Sequence, residues 1–93
     1  MLTATTDVRP VVARLAELND RAGRPTTGHP LAALTRAEQD EHHDLLNQLV
    51  YLHPDESNRA LLAEYDRGLS SRSLLDYTAA LLHIARRAIP APR

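Results

Sequence analysis

The chain has 93 residues, 11 Arg and no Lys against 12 acidic residues, and no Cys, Trp or Phe. That is enough for one domain; it excludes disulfides, thiolate metal sites and cysteine nucleophiles, and it confines aromatic contact surfaces to 3 tyrosines. No apolar run approaches the ~18–20 residues that cross a bilayer, and the opening MLTATTDVRP lacks the basic-then-apolar plan of a signal peptide, so a soluble, cytoplasmic chain with no membrane partner is expected.

The first helix is expected from about Asp7 to Ala22. Val8, Val11, Leu15, Leu18 and Ala22 recur at helical spacing. Thr6 or Asp7 can cap it, and Pro10 falls in the first turn, where a missing N–H costs little. Residues 1–6 are expected to fray. Gly23 and Pro25 end the helix, and residues 23–34, GRPTTGHPLAAL, form a connector whose Leu31 and Leu34 pin its second part to the core.

The second helix opens at Thr35-Arg36-Ala37-Glu38, a hydroxyl followed three residues later by a carboxylate, which is the form of a capping box. Leu45, Leu46, Leu49, Val50 and Leu52 give it an apolar face that ends before Pro54. A third helix is expected from about Asp55 to Arg67 with Leu61, Leu62 and Tyr65 as its apolar face, and with Gly68 as the left-handed residue that closes it. The fourth helix is capped by Ser70 and runs to about Ala88, with residues 90–93 fraying beyond it. Leu74, Tyr77, Thr78, Leu81, Leu82, Ile84, Ala85 and Ala88 cover more than half its circumference. The expected fold class is all-α, a single small three- or four-helix bundle with short loops. Ala and Leu, together 30 residues against 6 for Val and Ile, support helix throughout.

Charge is uneven along this order. Residues 1–37 carry 5 Arg and 3 acids, residues 38–66 carry 1 Arg and 8 acids, and residues 67–93 carry 5 Arg and 1 acid. Such blocks favour contacts between segments of opposite sign and differ from the uniform basic footprint of a nucleic-acid binder. The absence of lysine reads first as a GC-rich coding bias, and otherwise as selection against lysine modification or a preference for forked, always-charged donors.

The densest polar stretch is EQDEHHD, residues 38–44. Helix geometry pairs Glu38 with His42 and Asp40 with His43, while the adjacent His42 and His43 diverge by about 100° and do not grip one ion together. A zinc or iron site needs at least three protein ligands. A carboxylate di-metal bundle wants Glu-x-x-His on two helices, and only Asp40-x-x-His43 comes near it. Glu38, Asp40, His42 and His43 are therefore read first as a solvated helix face, with His42 at its boundary and within reach of Glu38, and only second as metal ligands. No cofactor is expected. The chain has no G-x-S-x-G, P-loop, G-x-G-x-x-G or H-E-x-x-H. An enzyme would need a site assembled across helices.

The segment YDRGLSSRSLL, residues 65–75, resembles the helix-turn portion of recombinase and regulator domains of the helix-turn-helix type. That resemblance implies a DNA-binding regulator of antitoxin type, with Ser71, Arg72, Arg86 and Arg87 toward phosphate. It covers about a dozen residues and then departs: DYTAALLHIARR reads as uninterrupted helix where a second turn and a recognition helix belong.

Apolar surface is the strongest remaining feature. A chain of this length buries only about 60–65% of its unfolded surface, and the first and fourth helices together offer more greasy side chains than such a core needs. The favoured expectation is a non-catalytic helical protein–protein interaction module, a homodimer or a regulatory partner of a larger protein, with Leu74, Leu81, Leu82, Ile84, Val8 and Leu15 as partner-binding anchors. Nucleic acid is the less favoured partner.

Overall fold

The described residues form four helices in chain order, α1 (Arg9–Ala22), α2 (Arg36–Leu52), α3 (Pro54–Arg67) and α4 (Ser73–Ala88). The computed structural model describes residues 7–25 and 27–89. The fraying expected at 1–6 and 90–93, and a cap from Thr6, lie outside the described residues. Among the described residues no helix is long and apolar enough to cross a membrane.

Each helix begins and ends for a chemical reason. The N-cap position of α1 is Val8, which makes no side-chain cap bond; Asp7, one residue earlier, accepts the Arg9 backbone N–H at 3.1 Å, and Pro10 occupies the first turn. Gly23, at φ 75, turns the chain away at the other end. The capping box at α2 is formed as its sequence predicts: Thr35 Oγ1 accepts from Glu38 N at 3.1 Å, and Glu38 Oε1 accepts from Thr35 N at 3.0 Å. Gly68, at φ 87, closes α3. Ser70 works one turn ahead of α4 rather than at its cap. Its Oγ accepts from Arg72 N and its own N–H donates to Ser73 Oγ, which organises the turn at 70–73 before the helix starts.

Packing follows from the apolar seams. Val12 and Leu15 of α1, Leu46 and Leu49 of α2, and Leu81, Leu82 and Ala85 of α4 form the main core. A second cluster joins Leu18 and Ala22 of α1 to Leu75 of α4 through Leu31 and Leu34 of the connector. The connector is held there by Gln39, whose amide donates to both the Leu31 and Leu34 carbonyls at 3.0 and 3.1 Å. The body of the fold is thus α1, α2, α4 and the connector, with α4 packed against each of the other three helices.

Helix α3 is the exception. Its buried residues are Ser57 and Glu64, and Ala60 also packs against the main core, whereas Leu61, Leu62 and Tyr65 are exposed. The expectation that those three form its inward face is therefore corrected. The joint explains the rotation. One residue, His53, ends α2 and precedes α3, leaving no slack in which α3 can turn about its axis. Small side chains at Ser57 and Ala60 then set how closely α3 lies on α4.

Opposite charges meet within the molecule. Arg14 of α1 grips Glu41 of α2 with two hydrogen bonds, at 2.9 and 2.8 Å, and Arg21 pairs with Glu38 and with Glu17. The Arg14 guanidinium holds the Glu41 carboxyl below the usual carboxylate range, and Glu41 in turn raises the pKa of Arg14. Much of the acidic block on α2 is thereby matched by the basic first helix.

Candidate interaction surface on the third helix

The anchors expected on α1 and α4 are placed by these contacts. Leu15, Leu81 and Leu82 are buried in the protein's own core, and Val8, Leu74 and Ile84 are half-buried against it. Helix α4 is apolar over most of its circumference because three helices surround it. In the folded chain Leu15, Leu81 and Leu82 are not available to a partner, and this corrects their expected role.

The residues 38–44 disperse rather than converge. Glu38 is used by the Thr35 cap and by Arg21, Asp40 faces Arg36 across 3.4 Å, and His43 shares a 3.2 Å hydrogen bond with Asn47. His42 turns inward, 1% exposed. Its partner is Asn19, not Glu38. Asn19 Nδ2 donates to the Leu75 carbonyl at 3.2 Å, which leaves its Oδ1 as the acceptor for His42 Nε2–H at 3.1 Å. Burial, with a smaller contribution from His43, lowers the His42 pKa and favours the neutral ring. One side chain thus ties α1 to α2 and α4. Among the described residues no group of three or more His, Asp or Glu is placed to hold a metal ion.

Ser71 and Arg72 lie at the turn before α4, and Arg86 and Arg87 are exposed near its end. The helix between them is unbroken, as the sequence predicts, and much of it is packed inside the bundle. A cleft of about 150 Å³ opens beside this turn, lined by Asp20, Arg24, Arg72 and Asp76 with Asn19 and Leu75 at its floor. It is smaller than the ~300–1,000 Å³ of ordinary small-molecule sites.

The exposed apolar surface lies elsewhere. On a helix turning about 100° per residue, Ser57, Ala60 and Glu64 share one direction, toward α4. Leu61, Tyr65 and Leu62 lie on a stripe centred roughly 100° or more around from it. Leu62 is 53% and Tyr65 57% exposed. Leu52 and Tyr51 stand just before the joint at the start of α3, and Leu69 just after the glycine at its end, all of them exposed, with Tyr51 at 90%. The inward side carries instead an acid: Glu64 is buried, and its carboxylate is paired with the guanidinium of Arg67, which reaches back over it from the solvent. Along the outer flank of the stripe stand Asp55, Arg59 and Asp66, all exposed and, among the described residues, without an ion-pair partner.

Sequence reasoning selects the three apolar residues of α3 but points them inward. The missing signal is the pairing of a one-residue joint with small residues at 57 and 60. No protein-family model, curated protein or solved structure matches the chain.

Proposed function

We propose that the chain is a non-catalytic helical interaction module and that its contact surface is the apolar stripe of α3. The observation that carries this reading is an inverted helix: Leu61, Leu62 and Tyr65 face solvent while Ser57, Ala60 and Glu64 face the body. Covering a half-exposed Leu or Tyr gains about 1 kcal/mol, half or less of the value for full burial, so this stripe with Leu52 and Leu69 supplies several kcal/mol to a complex. A contiguous exposed apolar surface on a small protein is the usual mark of a protein-contact site. The partner is a helical or grooved protein surface, belonging to a second copy of this chain or to a larger protein.

The test is site-specific photocrosslinking in the cell. A photoreactive residue in place of Leu62 is compared with one in place of Gln48, which is exposed on α2. A discrete crosslinked protein species from position 62 and none from position 48 supports the reading. Equal, diffuse labelling from both positions contradicts it.

A further inference from the structure

Two of the charges beside the stripe, Arg59 and Asp66, bear opposite signs. Arg59 and Asp66 are seven residues apart, roughly 10 Å along the axis at 1.5 Å per residue. That is two turns, too far for them to pair within one chain. They lie within about 20° of each other around the helix, on the side of Leu62 away from the body. When two copies of a helix pack antiparallel about a twofold axis, each flank of one meets the same flank of the other. An axis passing between positions 62 and 63 brings residue 59 level with residue 66 of the second copy, and residue 66 level with residue 59. The same axis sets Leu62 beside Leu62 and Leu61 beside Tyr65 across the contact. It also carries Leu69 of each copy toward the start of the other α3, where Leu52 stands. A parallel twofold arrangement would carry this flank of the two copies to opposite sides of the contact, where Arg59 and Asp66 would not meet each other.

We infer that the α3 stripe binds a second copy of this chain, as an antiparallel, twofold-symmetric α3–α3 contact fastened by two Arg59–Asp66 ion pairs. This rests on the reading of α3 as a contact surface and names its partner. The pattern is self-complementary: the flank carries both signs, and a dyad between 62 and 63 sets each opposite the other. A 14-residue helix is about 21 Å long and about 10 Å across. The contact it makes is smaller than the ~800 Å² per partner of a standard interface, so the dimer is concentration-dependent, with a dissociation constant on the order of micromolar.

The test uses sedimentation equilibrium on the full chain and two charge reversals, Arg59→Glu and Asp66→Arg, with circular dichroism confirming that each variant is helical. The wild type forms dimers as concentration rises. Each variant alone sets like charges opposite each other twice and self-associates at least roughly tenfold more weakly. An equimolar mixture of the two restores dimers. In the mixed pair the introduced glutamate faces the introduced arginine on one side of the dyad, and the unaltered Arg59 faces the unaltered Asp66 on the other. The Arg59→Glu/Asp66→Arg double variant recovers as well. A wild-type chain that stays monomeric through the high-micromolar range overturns the inference, as does a dimer that the reversals leave unchanged or that mixing fails to restore. If, in addition, the photocrosslink from position 62 traps a different protein, the self-pairing is wrong and the contact surface stands. If that crosslink is also absent, both are wrong.

Discussion

Replacing Asn19 by alanine removes both ends of the link between α1, α2 and α4. The His42 Nε2–H, on a ring 1% exposed, loses its acceptor, and an unsatisfied buried donor costs about 1–3 kcal/mol. The Leu75 carbonyl sits inside α4 and keeps the intrahelical position of its own turn, so losing the Asn19 amide there adds about 0.5–1.5 kcal/mol. Asn19→Ala is therefore expected to cost about 2–4 kcal/mol. A protein of this size holds about 0.05–0.15 kcal/mol per residue, so that is a large share of its total stability. At about 4–8 °C per kcal/mol, the melting temperature falls by more than ~8 °C. His42→Leu removes the buried donor along with its need for a partner. In the Asn19→Ala background it should recover stability, giving a coupling of about 1–3 kcal/mol in a double-mutant cycle. The assay is urea denaturation at neutral pH followed by far-ultraviolet circular dichroism. If the two substitutions add with no coupling, the side chains do not act as a pair and the reasoning fails.

The same histidine sets a pH dependence. Its folded pKa lies below the unfolded value of about 6.5, so the unfolded chain takes up the proton first. Stability is full above that pH and declines as pH falls below it, until the folded ring protonates too. Denaturation midpoints measured between neutrality and mild acid should show the decline in the wild type and lose it in His42→Leu. Helix α3 gives a contrast in position. Leu62→Ser, on the exposed stripe, should change stability by no more than about 0.5 kcal/mol, whereas Leu81→Ala in the core should cost about 2–5 kcal/mol; equal losses in thermal melts would mean that the stripe is buried. Gly68→Ala should cost about 1–3 kcal/mol from the backbone alone, because φ 87 with ψ 126 is a conformation that residues with a Cβ rarely adopt, while the added Cβ itself meets nothing within 4 Å. A loss several times larger would place that turn in closer contact than the structure does.

The fold is readable where local chemistry decides it. Thr35 and Glu38 announce α2, Gly68 announces the end of α3, and the spacing of Leu15, Leu46, Leu49, Leu81 and Leu82 marks the core they form, although Val12, not the expected Val11, is the valine buried there. What is not readable is rotation. An apolar seam says that a helix has a greasy side; it does not say which neighbour that side meets. Leu81 and Leu82 look like surplus because α4 is apolar nearly all round, and three surrounding helices use that surface. Leu61, Leu62 and Tyr65 look like core, and the joint at His53 turns them out. His42 misleads for the same reason. Its local neighbour Glu38 is visible in sequence, while Asn19, 23 residues away, meets it only through the packing of α1 on α2.

The account depends on the direction in which α3 faces, and the chain's lack of cysteine allows that to be measured directly. Single variants Leu62→Cys, Tyr65→Cys, Ser57→Cys and Ala60→Cys can each be labelled with a thiol reagent at low concentration, and the rates divided by those of the urea-unfolded chain. Positions 62 and 65 should react at close to the unfolded rate, and positions 57 and 60 many times more slowly. Protection at 62 and 65 with fast labelling at 57 and 60 would mean that α3 packs its apolar side inward, and that the chain has no such surface to offer a partner.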